Sequence, residues 1–282
     1  MYEVSFSELK TWRTCRQMYH YKYRENLEPR LKSPALRRGA WMHSLLEAYY
    51  KGEDWRETHQ SLVKQFNELL EEEKEYYGDL PGECEYLMTL YEETYQDDKP
   101  ILVEHEFKEF PISPSSKVLL RGRIDLVTED PKRGIWLVEH KTASRIPNED
   151  ERLINPQVAL YIPVVERLLG TKIQGVLWNY IRTKIPKKKK VQLLERRYLP
   201  ANERIISQLL REVRIATIEA KKLTNVYRSL HPLVCRFCGF KSLCMAELMG
   251  LDANFVRRAE YKLRGEDIEE NEKEKENVDL ED

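Results

Sequence analysis

The sequence predicts an α/β protein: a sheet core flanked by helices, with a helical elaboration ahead of it. Three observations predict this. Helical spacing of apolar residues fills about the first 100 positions. Strand-forming segments broken by turn signals then run to about residue 199. An amphipathic helix and a group of cysteines close the body, and strands bracketed by helices indicate an α/β core.

The elements follow in order. Ser5 and Glu8 have the spacing of a capping box, and Leu9, Trp12, Tyr19 and Tyr23 recur at helical intervals after them, with Cys15 in or near the end of that helix. Further helices are expected over about 37–50, 54–77 and 83–96, with Cys84 in the loop PGECEY. ILVEHEFKEFPI, VLLRGRIDLVTED and GIWLVEHKTAS read as three consecutive strands, the last two joined by the turn DPKRG. NPQVALYIPVVERLL, residues 155–169, reads as a helix on that sheet that Pro163 should strain. GVLWNYIRTK and VQLLERRYL supply two more strands, and 201–223 a long helix. There is no internal repeat.

Composition narrows the function classes. The 282 residues are 41% hydrophobic and 34% charged, enough to bury a sizeable core. No stretch has the apolar length of a membrane span, and MYEVSFSELK has no apolar signal core, so a cytoplasmic protein is expected. Residues 266–282 hold ten acidic side chains and two lysines, which against −1 for the whole chain leaves +7 for residues 1–265. A basic body permits a polyanionic partner.

Alternation along a strand sends Glu139 and Lys141 to one face and His140 to the other. If the DPKRG turn makes the GRIDLV and LVEHKTAS strands antiparallel neighbours, Asp125 falls near Glu139. Two carboxylates and an ammonium then converge, a set suited to Mg²⁺ or Mn²⁺ and to phosphate chemistry. His43, which shares a helix face with Glu47, can add an imidazole to the same ion. Gln157 and Tyr161, also four apart, follow on the next helix. Cys235, Cys238 and Cys244 form C-x2-C-x5-C, with Cys15 the best fourth ligand and Cys84 the other option. Four thiolates suit zinc or an iron–sulfur cluster, and spacing alone leans to zinc. KIPKKKK offers Lys184, Lys187, Lys188, Lys189 and Lys190 to a phosphate backbone, with Arg182 just before it. Arg37, Arg38, Arg121 and Arg123 add positive charge, and Trp41, Tyr49 and Tyr50 are candidate base-stacking platforms.

Taken in order, the N-terminal cysteine, G-x3-H, G-R-I-D, E-x-K, Q-x3-Y and C-x2-C-x5-C resemble the iron–sulfur branch of the RecB-like PD-(D/E)xK nucleases. That branch includes the AddB nuclease domain and the CRISPR-associated RecB-like exonucleases, many of them phage-borne. The likeness spans about residues 5–245. It implies a restriction-endonuclease-like mixed sheet flanked by helices. It also implies divalent-metal ligation by His43, Asp125, Glu139 and the backbone carbonyl of His140, with Lys141 as catalytic lysine and Gln157 and Tyr161 as the Q-x3-Y pair. Cys15, Cys235, Cys238 and Cys244 become ligands of a 4Fe–4S cluster, and this likeness, not spacing, moves the expectation from zinc. Ile124 stands where the superfamily's name has proline, and Glu139 where this branch commonly has aspartate.

The implied layout is a helical part over 1–100 contributing Cys15 and His43, a nuclease core over 101–225, a cysteine region over 226–250 and an acidic, disordered tail over 251–282. The expected activity is Mg²⁺- or Mn²⁺-dependent exonucleolytic cleavage of single-stranded DNA or DNA ends, 5′→3′, in recombination, repair, phage replication or CRISPR spacer processing. A helicase, recombination or integration partner fits that setting. Two rival readings are a non-catalytic DNA-binding subunit of the same fold and a zinc-stabilised interaction module.

Overall fold

A computed structural model describes residues 1–96, 98–113, 117–183, 192–222 and 225–265. The chain divides into two compact units, Met1–Phe6 with Pro34–Thr217, and Ser7–Ser33 with Ile218–Asp282. Chain order begins β1 (Tyr2–Ser5), α1 (Phe6–Thr14), α2 (Arg16–Tyr19), a π-helical turn (His20–Arg24) and β2 (Leu27–Pro29). Four helices follow: α3 (Pro34–Lys51), α4 (Trp55–Asn67), α5 (Glu71–Tyr77) and α6 (Leu80–Thr94). The strands β3 (Lys99–Pro111), β4 (Val118–Asp130) and β5 (Gly134–Ala143) lead to α7 (Glu149–Leu153) and α8 (Pro156–Leu169). Then come β6 (Gly175–Arg182), β7 (Leu194–Pro200), α9 (Glu203–Lys222), α10 (Pro232–Arg236), α11 (Lys241–Met249), α12 (Ala253–Glu260) and β8 (Tyr261–Leu263).

The first unit is built on a mixed sheet in the order β1-β4-β5-β6-β7, with β3 also paired to β4. The turn at its centre is local chemistry. Asp130 Oδ1 accepts from the backbone N–H groups of Lys132 (2.8 Å) and Arg133 (3.0 Å), and Gly134 takes φ +82°, a left-handed value that glycine adopts without strain. β4 and β5 therefore run antiparallel, with Leu126 opposite Val138. β5 and β6 are parallel, in register His140↔Asn179.

β4 changes partners along its length. Along one edge it pairs with β3 from Leu119 to Glu129. Along the other it pairs with β1 over Val118–Arg121 and with β5 over Leu126–Asp130. Residues 122–125 lie where β1 ends and β5 has not begun, a fork in the sheet.

Helices cover both faces. Trp41, Met42, Leu45 and Leu46 of α3 and Leu87, Met88 and Tyr91 of α6 form one core with Leu126, Val138, Leu177 and Leu194 of the sheet. Each such side chain contributes roughly 1.5–3 kcal/mol on burial, so Leu45→Ala in this fully enclosed position should cost about 2–5 kcal/mol. α8 packs on β5 and β6 from the opposite side. Asn155 starts it, accepting from the Gln157 backbone N–H at 3.0 Å, and the helix continues through Pro163 to Leu169. The second unit has its own small core, Tyr21, Leu27, Phe240, Leu243 and Tyr261, around the antiparallel pair β2–β8.

Several expectations change. The helix expected over 54–77 is two, because the backbone turns extended at Leu70 and Glu73 caps the second by accepting from the Leu70 N–H at 3.1 Å. Cys84 is not in a loop: it is enclosed in α6. Ser5 ends a strand parallel to β4 that four residues could not advertise. Cys15 and His43 belong to different units. Positions 253–263, inside the expected tail, form α12 and β8, secured by an Asp252 cap on Phe255 N–H (2.9 Å) and by the β2 ladder. The rest of that tail, 266–282, and the lysines at 184 and 187–190 lie outside the described residues.

Candidate active site

Three strands and two helices of the first unit bring the site together. His43 projects from α3, Glu104 from β3, Asp125 from β4 at the fork, Glu139 and Lys141 from β5, and Gln157 and Tyr161 from α8. His43 Nδ1 lies 3.3 Å from Glu104 Oε1 and 3.9 Å from Asp125 Oδ1. Ligand atoms of these three residues all fall within 4.8 Å of one another. The β4–β5 register, continued one step past Leu126↔Val138, sets Asp125 beside Glu139, and the His140 backbone N–H donates to Asp125 Oδ2 at 2.9 Å.

Glu104 is the residue that sequence reasoning missed. It lies between the registered pairs Val103↔Leu126 and His105↔Ile124 and so faces Asp125. Two acids directly opposite each other repel unless a cation joins them. Its φ of +44° is a left-handed value inside a strand, an uncommon and costly conformation for a side chain with a Cβ. The only sequence signal was an acid in the middle of the apolar run ILVEHEF, which is no different from a solvent-facing glutamate.

The electrostatics match the crowding. Burial pushes the Asp125 carboxyl up to about 7, and Glu139 adds to that. Burial alone would lower His43, but its bond to Glu104 and the charge of Asp125 outweigh this and raise it. Lys141 is likewise raised, since Glu139 and Asp125 outweigh its burial. The Lys141 ammonium bonds Glu139 Oε1 and reaches Gln157 Oε1 at 3.3 Å, while Gln157 Nε2 donates to the same Glu139 oxygen at 2.6 Å. Gln157 therefore ties lysine to glutamate. Tyr161 is buried against Phe107, ring centroids 5.4 Å apart, and its hydroxyl bonds with the Arg123 backbone. A Cβ on Gly122 would sit 2.6 Å from that hydroxyl, so the glycine of G-R-I-D makes room for the tyrosine of Q-x3-Y.

Other expected residues are used differently. Glu47 pairs with Lys51 at 2.6 Å, not with His43. Arg37 stacks over the Tyr77 ring at 4.5 Å, Arg38 pairs with Glu83, and Arg123 bonds Glu106 at 2.8 Å. Arg182, registered with Ala143 two residues past Lys141, pairs with Glu195 at 3.7 Å. Trp41 and Tyr50 are buried and Tyr49 is half-buried with its hydroxyl on the Tyr95 carbonyl at 2.6 Å, so these rings are core rather than stacking platforms.

In the second unit, Cys15, Cys235, Cys238 and Cys244 are free, half-buried thiols. The Ser229 backbone N–H donates to Cys15 Sγ at 3.4 Å and Arg228 Nε donates to Cys244 Sγ at 3.2 Å. Burial pushes the Cys238 thiol up, and its neighbours Cys15, Cys244 and Cys235 add to that. Cys84 belongs to the core of the first unit.

Residues 3–245 match the model of the PD-(D/E)XK nuclease superfamily. The chain belongs to that superfamily. Among solved structures, the "Putative exonuclease" of Eubacterium rectale is 15% identical, with a TM-score of 0.51 over 83% of this chain and 87% of that one, a likeness of fold. SSO0001 is 14% identical over 86% of each chain with a TM-score of 0.39, too low to add to the argument. No curated protein matches the sequence. In this PD-(D/E)XK nuclease chain the mixed sheet flanked by helices is the superfamily's restriction-endonuclease-like core. No helix among the described residues is long and apolar enough to cross a membrane.

Proposed function

We propose that the first unit hydrolyses phosphodiester bonds of DNA with a divalent metal, Mg²⁺ or Mn²⁺, acting on single strands or ends in the 5′→3′ sense. The observation that carries this reading is the trio His43, Glu104 and Asp125 within 4.8 Å, with Glu139 and Lys141 beside it. The donor set fits such an ion: one imidazole and hard carboxylate oxygens, one of them on an acid whose burial disfavours its charge until a cation arrives. His43, Glu104, Asp125 and Glu139 would hold the ion, joined by the His140 carbonyl. When bound, the cation would draw charge from a phosphate oxygen and acidify water.

The remaining work falls to the chain's own groups. Lys141 orients the attacking water and offers positive charge to the phosphate. Gln157 keeps that ammonium against Glu139. Tyr161 packs beneath the strand that carries Asp125 and keeps it in place. For a nucleic-acid backbone, the described residues of the second unit offer 16 lysines and arginines against seven acids, although residues 266–282 bring that whole unit to 18 against 17, and the whole first unit has 29 against 31.

The four thiols of the second unit would hold a 4Fe–4S cluster. What supports this over zinc is the likeness of the N-terminal cysteine followed by C-x2-C-x5-C to the iron–sulfur branch of the superfamily, since four thiolates by themselves suit either metal centre. Anaerobically purified protein should absorb near about 400 nm as iron–sulfur proteins do; a colourless protein holding stoichiometric zinc would make the zinc reading correct. The function is tested by Mn²⁺-dependent digestion of 5′- and 3′-labelled strands with wild type and Lys141→Ala. Equal digestion by both would remove the catalytic assignment, and equal binding without cleavage by either would favour a DNA-binding subunit.

A further inference from the structure

We propose that a buried polar rung behind the site, His140–Asn179–Arg196, positions the catalytic cluster by acting through the peptide of His140. The inference rests on the metal-dependent reading above; it concerns side chains outside the ligand set, to which His140 contributes only its main-chain carbonyl.

The rung is a consequence of register. His140↔Asn179 and Asn179↔Arg196 are direct cross-strand partners on β5, β6 and β7. All three side chains point to the face covered by α3 and α6, the face away from Glu139 and Lys141. Asn179 is fully enclosed, and its Nδ2 donates to His140 Nδ1 at 2.7 Å and to the Tyr91 hydroxyl at 3.0 Å. The Tyr91 and Tyr50 hydroxyls meet at 2.6 Å, and Arg196 Nη2 donates to both, at 3.1 and 3.2 Å. Asp98 closes the far end, taking Arg196 Nη1 at 2.8 Å and the Tyr50 hydroxyl at 2.7 Å. The His140 imidazole also stacks on the Tyr50 ring, centroids 5.8 Å apart.

Two links join this network to the site. The His140 main-chain N–H fixes Asp125 Oδ2. Tyr50 lies two turns after His43 on α3, so anchoring Tyr50 sets the depth at which that helix presents His43. Buried polar atoms carry a desolvation cost that an apolar cluster of the same volume avoids. The rung carries part of that cost, since among the described residues His140 Nε2, Asn179 Oδ1 and Arg196 Nε have no hydrogen-bond partner. What the polar version adds is directionality: hydrogen bonds fix the rotation of His140 and of the helix, where apolar packing leaves both free to slide.

The test is Asn179→Leu, which keeps volume and removes the bridge. Circular dichroism and thermal melting report folding. Mn²⁺ affinity is measured on metal-free protein from the loss of the free-ion EPR signal, and kcat and KM on single-stranded DNA. The expected result is a folded protein with Mn²⁺ affinity and kcat each lowered about 10–100-fold and KM for DNA unchanged, since the rung faces away from the Glu139–Lys141 side. Lower melting temperature with wild-type Mn²⁺ affinity and kcat would make the rung merely structural and overturn the proposal. If Asn179→Leu does not fold, Tyr91→Phe removes one hydroxyl of the network; a several-fold loss of Mn²⁺ affinity supports the proposal and wild-type values overturn it. A wild type that binds Mn²⁺ yet cleaves no DNA would defeat the phosphodiesterase reading while leaving the effect of the rung on metal affinity measurable.

Discussion

The two units solve the problem of holding a charged group in opposite ways. The first keeps acidic groups inside: Asp125 and Glu139 are buried, ordered by neighbours, and carried on a unit with 29 lysines and arginines against 31 acids. The second keeps its thiols half-exposed, and its described residues carry 16 lysines and arginines against seven acids. The lesson is one of division of labour. A site that must stabilise a changing charge needs low dielectric and fixed geometry, whereas a surface that attracts a polyanion needs exposed positive charge in number.

The sharpest way to break this comparison is at Glu104. Glu104→Gln removes one negative oxygen from the trio, and Mn²⁺ affinity should fall about 10–100-fold with DNA binding unchanged, measured by EPR titration and by filter binding. Wild-type metal affinity would remove Glu104 from the ligand set. Glu104→Gly should share the metal defect yet melt higher, since relieving a left-handed glutamate recovers about 1 kcal/mol or more.

Next comes Cys238→Ser. It should lower the melting transition of the second unit by several degrees, about 1–3 kcal/mol in the scale of lost buried partners, and leave Mn²⁺ affinity in the first unit at the wild-type value. Coupled loss of both would show that the division is not energetic.

A pH series sharpens the account of the first unit. Asp125 and His43 both bind protons more tightly folded than unfolded. Metal-free stability therefore falls as pH rises from the ordinary carboxylate range through about 7, because the folded state must then give up protons it holds more tightly than the unfolded chain does. A divalent ion replaces those protons. The rise in melting temperature on adding Mn²⁺ should be near zero at pH 5 and about 5 °C at pH 8; an equal rise at both would contradict the coupling.

The smallest effect is expected in the second unit. Replacing Arg236 and Lys241, both exposed, by glutamine should weaken single-strand binding only a few-fold. The slope of log affinity against log salt should become shallower by about 0.7 for each phosphate that the protein no longer neutralises. An unchanged slope would move the backbone-binding surface elsewhere.

How much was legible in the sequence follows from the same division. The hairpin through DPKRG, the facing of Asp125 and Glu139, and Gln157 on the following helix could be read, because turn residues and strand alternation are local rules. The spacing of Cys235, Cys238 and Cys244 within ten residues was equally legible as a motif. Glu104 was not, because its role comes from a register between strands and a backbone value that no side-chain pattern records. The burial of Trp41 and Tyr50, by contrast, was legible, because aromatic residues at helical spacing are read first as core and only second as stacking platforms. The parallel β1 escaped because four residues carry too little alternation to be read.

The fork in β4 also predicts where this molecule tolerates change. Since β1 and β5 share one edge of β4 without touching the same residues, lengthening the chain ahead of β1 or trimming that strand leaves Asp125 in place. The five residues from Asp130 to Gly134 have no such slack: adding or deleting one there slips β5 by a single position and turns Glu139 and Lys141 to the wrong side of the sheet. Length variation in natural or designed relatives should thus accumulate at the first strand and be purged from that hairpin.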